Sequence, residues 1–341
     1  MTDDTPDRPR RRARYAGTHP RRFHERYKEL DPARHPETVE RVIASGRTPA
    51  GSHLPIMVEE VLAALAPAPG ETFVDATLGH GGHAEALLPR LRPGGRLIGL
   101  DVDPRELPRT TERLRAAGFG PAELVTQRVN HASLSAALAA AGVPAAHGVL
   151  ADLGCSSMQY DDPTRGFTYK HEGPLDLRMN PNKGEPAAKL LEKWNEADLA
   201  RALAELSDEP LAGPLARAIK RAASPTTTTA LAALVRAVAP ADPRPTLARV
   251  FQALRIAVND ELATLEALLR QLPAVLAPGG RVAILTFHSG EDRRVKHAFR
   301  AGQDDGTYAR VSDEPVRPSR EEARRNPRAR PAKLRWAVRA G

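Results

Sequence analysis

One cysteine, Cys155, stands in 341 residues, so an intrachain disulfide and a cysteine-rich zinc site are both excluded. Aromatic residues make up only 4% of the chain, and alanine and leucine fill most apolar positions. No apolar run is long enough to span a bilayer. The arginine-rich beginning holds no apolar segment of the secretory kind, and the expectation is a cytosolic protein without membrane contact. Lysine is scarce too, 8 of the 50 basic residues, which discounts the net charge of +8 as a nucleic-acid signal. The charge is nevertheless placed at the ends. Residues 1–50 carry 12 basic against 8 acidic side chains, residues 317–341 carry 9 against 2, and the middle carries 29 against 32. Basic ends favour a polyanionic partner through counterion release.

The chain is organised around residues 72–101. Thr72-Phe73-Val74 is a short apolar run that stops at Asp75. Gly79, Gly81 and Gly82 then permit a tight turn and close approach of a ligand to the backbone. A helix over 84–91 follows, its first N–H groups unpaired and facing whatever lies over the loop. A second apolar run, 96–100, ends at Asp101, nineteen residues beyond Gly82, where a doubly wound sheet places an acid against a ribose. The spacing D-x-x-x-G-x-G-G does not meet the G-x-G-x-x-G of a pyrophosphate site, so S-adenosylmethionine is favoured over a dinucleotide. A βα turn whose glycines merely allow close packing is the bland alternative.

Residues 1–50 read as a mobile basic arm with a short helix over 36–45. Helical spacing of Ile56, Val58, Val61, Leu62 and Leu65 predicts a helix over 55–65. Helices over 104–117 and 133–141 alternate with strands over 123–129 and 148–153, which fixes an α/β class. After Asp152 comes a stretch of thirty residues rich in Gly, Pro, Asp and Ser, a length of irregular chain that is usually functional. Residues 187–276 are helical in pattern, with Thr228 or Thr229 as a helix N-cap. Roughly 100 residues thus separate the fourth and fifth strands, too many for an ordinary crossover. The sheet resumes over 281–287 after a turn at Pro278-Gly279-Gly280. His288 follows, then a helix to about 300 opened by a Ser289/Asp292 capping box, and a last strand lies over 334–338. The domains expected are a basic arm over 1–50, a core over 51–160 and 268–341, and a helical substrate-recognition insert over 161–267.

The blocks VDATLGHGGH, GLDVDP, DLGCSSMQ, RGFTY, GPLDLRM, FQALRIAVNDEL, FHSGEDRRVK and NPRARPAKLR, in this order from His53 to Arg339, together resemble the bacterial RsmH (MraW) family. The resemblance implies a Rossmann-like class I methyltransferase core that methylates N4 of a cytidine in 16S rRNA of the small ribosomal subunit. S-adenosyl-L-methionine is the implied cofactor. Its contacts fall on Gly81, Gly82, His83, Asp101, His131, Asp152 and Gln159, with a histidine at position 131 where the family usually has an aromatic. Candidate catalytic residues are Asp152, Ser156, Ser157 and His288, and candidate substrate contacts are Asp176, Arg178 and Asn259. Asp176 and Arg178 can alternatively pair with each other to hold the loop.

Methyl transfer from a sulfonium is an in-line displacement, so positioning dominates. A hydrogen-bond acceptor for an N4 proton helps, and Asp152 closes a strand where the sheet presents it. The stacking partner of the base is sought in Tyr160, Phe167 or Phe287. A rival is a C5-methyltransferase with Cys155 as nucleophile, against which Gly154 and Ser156 supply no cation to lower a thiol pKa. Two further rivals are a non-catalytic RNA- or ribosome-binding protein and a dinucleotide oxidoreductase. A homodimer is left open. No metal is expected, because the histidines show no helix-spaced pair with a carboxylate.

Overall fold

A computed structural model describes residue 37, residues 55–222 and residues 224–341; the arm expected over 1–50 and its helix lie outside the described residues, Glu37 apart. Among the described residues seven strands form one sheet: β1 (Thr72–Asp75), β2 (Arg96–Leu100), β3 (Leu124–Gln127), β4 (Ala146–Asp152), β5 (Leu276–Thr286), β6 (Tyr308–Val311) and β7 (Lys333–Arg339). The strand order is β3-β2-β1-β4-β5-β7-β6. β1 to β5 run parallel, and β7 lies antiparallel to both β5 and β6.

The parallel strands are apolar on both faces because helices cover both. Along β4, Val149 and Ala151 enter the same core as Val74, Ile98, Val282 and Ile284. Leu150 points the other way, into a core with Phe73, Leu97, Ala283 and Leu285. On the second face lie α1 (Val58–Leu65), α2 (Gly82–Leu91) and α3 (Glu106–Ala116). On the first lie α4 (Leu134–Ala140), α11 (Glu261–Val275) and α12 (Ser289–Asp304). Outward winding from β1 to β3 and return to β4 makes the gap between β1 and β4 the topological switch point, where open α/β sheets leave a crevice at the strands' carboxyl ends.

The chain leaves β4 through α5 (Ser157–Asp161) and an irregular loop. Five helices follow, α6 (Ala187–Lys193), α7 (Glu196–Ser207), α8 (Ala212–Arg221), α9 (Thr228–Val238) and α10 (Pro243–Asn259). They bury a third core, in which Phe167, Leu175 and Leu177 of the loop join Leu203, Ile219, Val235 and Leu254. Asp260, with φ 53°, turns the chain back to α11, whose Leu265, Leu268, Leu269 and Leu272 pack on the sheet. The return to the sheet side thus comes at Asp260, ahead of the 268 expected from sequence.

Several local expectations are corrected. Thr227, not Thr228 or Thr229, caps α9 by accepting from Ala230 N, while Thr228 donates to the His171 carbonyl at 2.8 Å and pins the loop. Pro278-Gly279-Gly280 is not a turn before β5 but an irregularity within it: Ala146 pairs Leu276, and Gly148 already pairs Arg281. The Ser289/Asp292 capping box does not form. Ser289 Oγ donates to Asp208 Oδ2 at 3.1 Å, Asp292 binds Arg335 and Lys333 at 2.6 and 2.7 Å, and Glu291 reaches back to Phe287 N at 2.8 Å. The arginine-rich link after residue 317 forms α13 (Arg320–Arg325) and clamps the beginning of the core, Glu322 accepting from Met57 N at 2.7 Å.

Candidate active site

A cleft of about 1180 Å³ opens over the switch point and is roofed by the insert. Its floor is the set of strand ends. After β1 the chain turns through the glycine loop. Gly81 sits at φ 76°, and a Cβ there would lie 2.8 Å from Thr110 Cγ2. At Gly82 a Cβ would meet the Pro55 ring at 2.9 Å, so α2 begins where side chains do not fit. After β2, Asp101 accepts from Gly79 N at 2.7 Å and from Asp103 N at 2.8 Å. It holds the loop while keeping lone pairs for a ligand. Burial pushes its carboxyl up to about 6, against the hydrogen bonds from Asp103 and Gly79.

Asp152 ends β4. Its N–H donates to Thr77 Oγ1 at 2.7 Å, its Oδ2 lies 3.8 Å from His83 Nδ1, and its buried Oδ1 has no hydrogen-bond partner. Burial, helped by the charge of Glu291, pushes its carboxyl up to about 7. His83 uses Nε2 to meet the Ile56 carbonyl at 3.0 Å. Burial lowers its pKa even though Asp75 pulls the other way, so the ring is neutral and turns the Nδ1 lone pair towards Asp152. Asp75 lies beneath, pushed up to about 6 chiefly by burial. Three carboxyls thus crowd one water-poor floor, an environment that raises proton affinity and favours a cationic ligand.

His131, on a 3-10 turn after β3, lines the cleft with Nε2 buried and unpartnered. Burial drops its pKa to about 4, so it presents a neutral flat ring. Ser156 caps α5, accepting from Gln159 N at 3.3 Å, while Gln159 Oε1 accepts from Ser156 N at 3.0 Å. The other end of the Gln159 amide donates to Asp103 at 3.0 Å. Ser156 and Gln159 therefore line the cleft with much of their bonding capacity spent on holding α5; Ser157 lines it as the first residue of that helix.

The three candidate substrate contacts are differently placed. Asp176 and Arg178 pair bidentately, both bonds 2.7 Å, and neither lines the cleft. Asn259 does line it, but its amide accepts from Met179 N at 2.7 Å and donates to the Leu177 and Arg255 carbonyls at 2.8 Å. It staples the loop to α10. Among the aromatics, Phe167 also lines the cleft but is only 1% exposed, its ring held in the insert core. Tyr160, 38% exposed, and Phe287 both line the cleft.

Two buried ion pairs escaped the sequence reading. Asp103 and Arg165, 1% and 5% exposed, meet at 2.9 Å, and Arg165 also donates to the Met179 carbonyl at 2.8 Å. The pair ties the β2 turn to the loop over the cleft. Arg255 binds Glu261 through two bonds of 2.8 and 2.9 Å and points Nη1 at Cys155 Sγ and Tyr160 Oη, both 3.4 Å away. Cys155 therefore does have a cation beside it, supplied by α10 and not by its sequence neighbours. Burial still outweighs Arg255 and pushes the thiol pKa up, and Glu261 already takes most of the guanidinium's bonding. The expectation of no helix-spaced histidine–carboxylate pair is also corrected: His288 and Glu291 stand at i and i+3, with Nε2 and Oε1 3.2 Å apart.

The sequence profile of the MraW methylase family matches residues 50–340. A protein of Lachnoclostridium phytofermentans named Ribosomal RNA small subunit methyltransferase H 1 is 49% identical, over 97% of this chain and 93% of its own. One of Alkaliphilus metalliredigens named Ribosomal RNA small subunit methyltransferase H 2 is 46% identical, over 99% of this chain and 100% of its own.

Proposed function

The chain belongs to the MraW methylase family, and on that premise we propose that it methylates N4 of a cytidine in 16S rRNA of the small ribosomal subunit, in the cytoplasm. It is an S-adenosylmethionine-dependent rRNA methyltransferase. No helix among the described residues is long and apolar enough to cross a membrane. The observation that carries the N4 reading is Asp152, whose unpartnered Oδ1 and raised pKa make it a proton acceptor at the switch point.

The residues present fit the cofactor. The turn at Gly81 and Gly82 leaves room only for backbone, Asp101 offers a carboxylate at the end of β2, and His131 offers a neutral face at the end of β3. The carboxyls of Asp75, Asp101 and Asp152 create a negative floor that suits a sulfonium and an α-ammonium group. When bound, S-adenosylmethionine supplies an electrophilic methyl group. The protein's task is to hold the cytosine amine in line with that methyl and keep water out. In that transfer the sulfonium–methyl bond would break as the N4–methyl bond formed, leaving a neutral thioether, and Asp152 is placed to take the proton that the acidified N4 would shed. The neutral His83 ring beside it is fixed by the Ile56 carbonyl at 3.0 Å. Tyr160 and Phe287 are the rings that can flank a splayed-out base, and we assign substrate recognition to the insert that carries the roof.

One observation favours a second reading: Arg255, 3.4 Å from Cys155, would assist a thiolate attacking C6. The raised thiol pKa opposes it. The test is transfer of labelled methyl to small ribosomal subunits from a strain lacking this protein, followed by nucleoside analysis. Label in N4-methylated cytidine is expected. Cofactor binding without label would mean an RNA-binding protein that keeps the fold, and label in 5-methylcytidine would mean the cysteine mechanism.

A further inference from the structure

Beside Asp152, the first residue of α11, the residue before α12 and the first turn of α12 bring together three groups to which the methyl-transfer step gives no direct contact with substrate. Ligand atoms of Glu261, His288 and Glu291 all lie within 4.8 Å of one another, and all three residues line the cleft. We propose that they bind a divalent first-row transition cation of the Mn²⁺ or Zn²⁺ type.

Two carboxylates alone would not carry this. The second observation is His288: its side chain is 7% exposed, and neither ring nitrogen has a hydrogen-bond partner. A buried imidazole whose Nδ1 has no partner and whose Nε2 faces the Glu291 carboxylate without hydrogen-bond geometry is costly, and a cation bound by both groups satisfies Nε2 and the carboxylate together. The 3.2 Å between His288 Nε2 and Glu291 Oε1 matches the edge of a coordination polyhedron. Ligand bonds of about 2.0–2.2 Å put neighbouring donors about 2.8–3.6 Å apart, from octahedral to tetrahedral geometry.

The outer partners are also in place. Glu291 uses Oε2 on Phe287 N, which leaves Oε1 aimed at His288. Glu261 is oriented by the Arg255 fork, each oxygen keeping a further lone pair, as metal-ligating carboxylates are commonly held from behind. One nitrogen and two oxygen donors suit Mn²⁺ and Zn²⁺ better than Mg²⁺ or Ca²⁺, which prefer oxygen alone. Three protein ligands leave open positions towards the cleft for water or a substrate oxygen. The inference does not rest on the methyl-transfer reading.

The test uses the full-length, tag-free protein, stripped with chelator and titrated with Mn²⁺ under electron paramagnetic resonance, with Zn²⁺ as competitor. One site per chain is expected, displaced by Zn²⁺, with nitrogen hyperfine coupling from one imidazole. His288→Ala removes that coupling. Glu291→Gln, which keeps an acceptor for Phe287 N, weakens binding by at least about 100-fold, and Arg255→Lys, behind Glu261, by about 10–100-fold. Circular dichroism and cooperative thermal unfolding like those of the wild type show that the His288 and Glu291 variants are folded. No stoichiometric Mn²⁺ or Zn²⁺ uptake below millimolar concentration would overturn the proposal, as would a bound ion without nitrogen coupling, or variants that bind as wild type does.

Discussion

Replacing Asp152 by asparagine should make the protein more stable and less active, and the stability gain should depend on pH. In the native state burial and Glu291 hold the Asp152 carboxyl at about 7, against 3.8 in a free chain. Between these values the native state binds the proton more tightly than the unfolded chain. The contribution is therefore complete below pH 3.8 and is lost as pH rises through 7. At 1.36 kcal/mol per pH unit, ionising the buried carboxyl at pH 8.5 costs at most about 4 kcal/mol. An amide of the same shape never ionises, so it escapes that cost at every pH. With an unfolding entropy of about 2.1 cal/mol/K per residue, 4 kcal/mol corresponds to a Tm about 6 °C above wild type at pH 8.5. The gain should shrink to about 1.6 kcal/mol at pH 5, a Tm difference of about 2 °C, and vanish only below pH 3.8. The assay is thermal unfolding of chelator-treated, cofactor-free protein at both pH values, beside methyl-transfer rates, which should fall at least about 100-fold with loss of the proton acceptor. An Asp152→Asn variant that is less stable than wild type at pH 8.5, or whose Tm difference is the same at both pH values, would refute the reasoning.

Three further outcomes follow from contacts already described. Gly81→Ala puts a Cβ at positive φ and 2.8 Å from Thr110; it should cost about 1–3 kcal/mol and weaken S-adenosylmethionine binding in calorimetry by tenfold or more. Arg165→Met leaves Asp103 charged and buried without its partner, and denaturant unfolding should show a loss of about 3–5 kcal/mol, with cofactor affinity falling as the loop releases. Cys155→Ser should keep methyl transfer within a few-fold of wild type and leave the modified nucleoside unchanged, because burial holds the thiol protonated.

The doubly wound core is legible in the sequence because its signals are local. An apolar run that stops at Asp75, glycines at once after it and Asp101 at the next strand end need no tertiary information. β6 was missed, since Tyr308–Val311 is a four-residue edge strand with only its end residues buried. Thr227 was passed over because Thr226 to Thr229 offer four equivalent caps and only the path of the chain chooses among them. The floor of the site is legible as strand ends, whereas its supports are not. Arg165 reaches Asp103 across 62 positions and Arg255 reaches Cys155 across 100, and no spacing rule encodes such pairs. Arg255 did leave a trace, a charge four residues after Phe251 on the buried face of α10. His288 and Glu291 left another, the i, i+3 spacing that marks one helix face.

The most direct test of the central claim follows the hydrogen on the target base. Small ribosomal subunits carrying cytidine deuterated at C5 are methylated by this protein, and the product nucleoside is weighed by mass spectrometry. Transfer to N4 leaves the C5–D bond untouched, so the expected product carries both the methyl group and the deuterium. A methylated cytidine that has lost its deuterium would mean attack at C5 and would contradict the account.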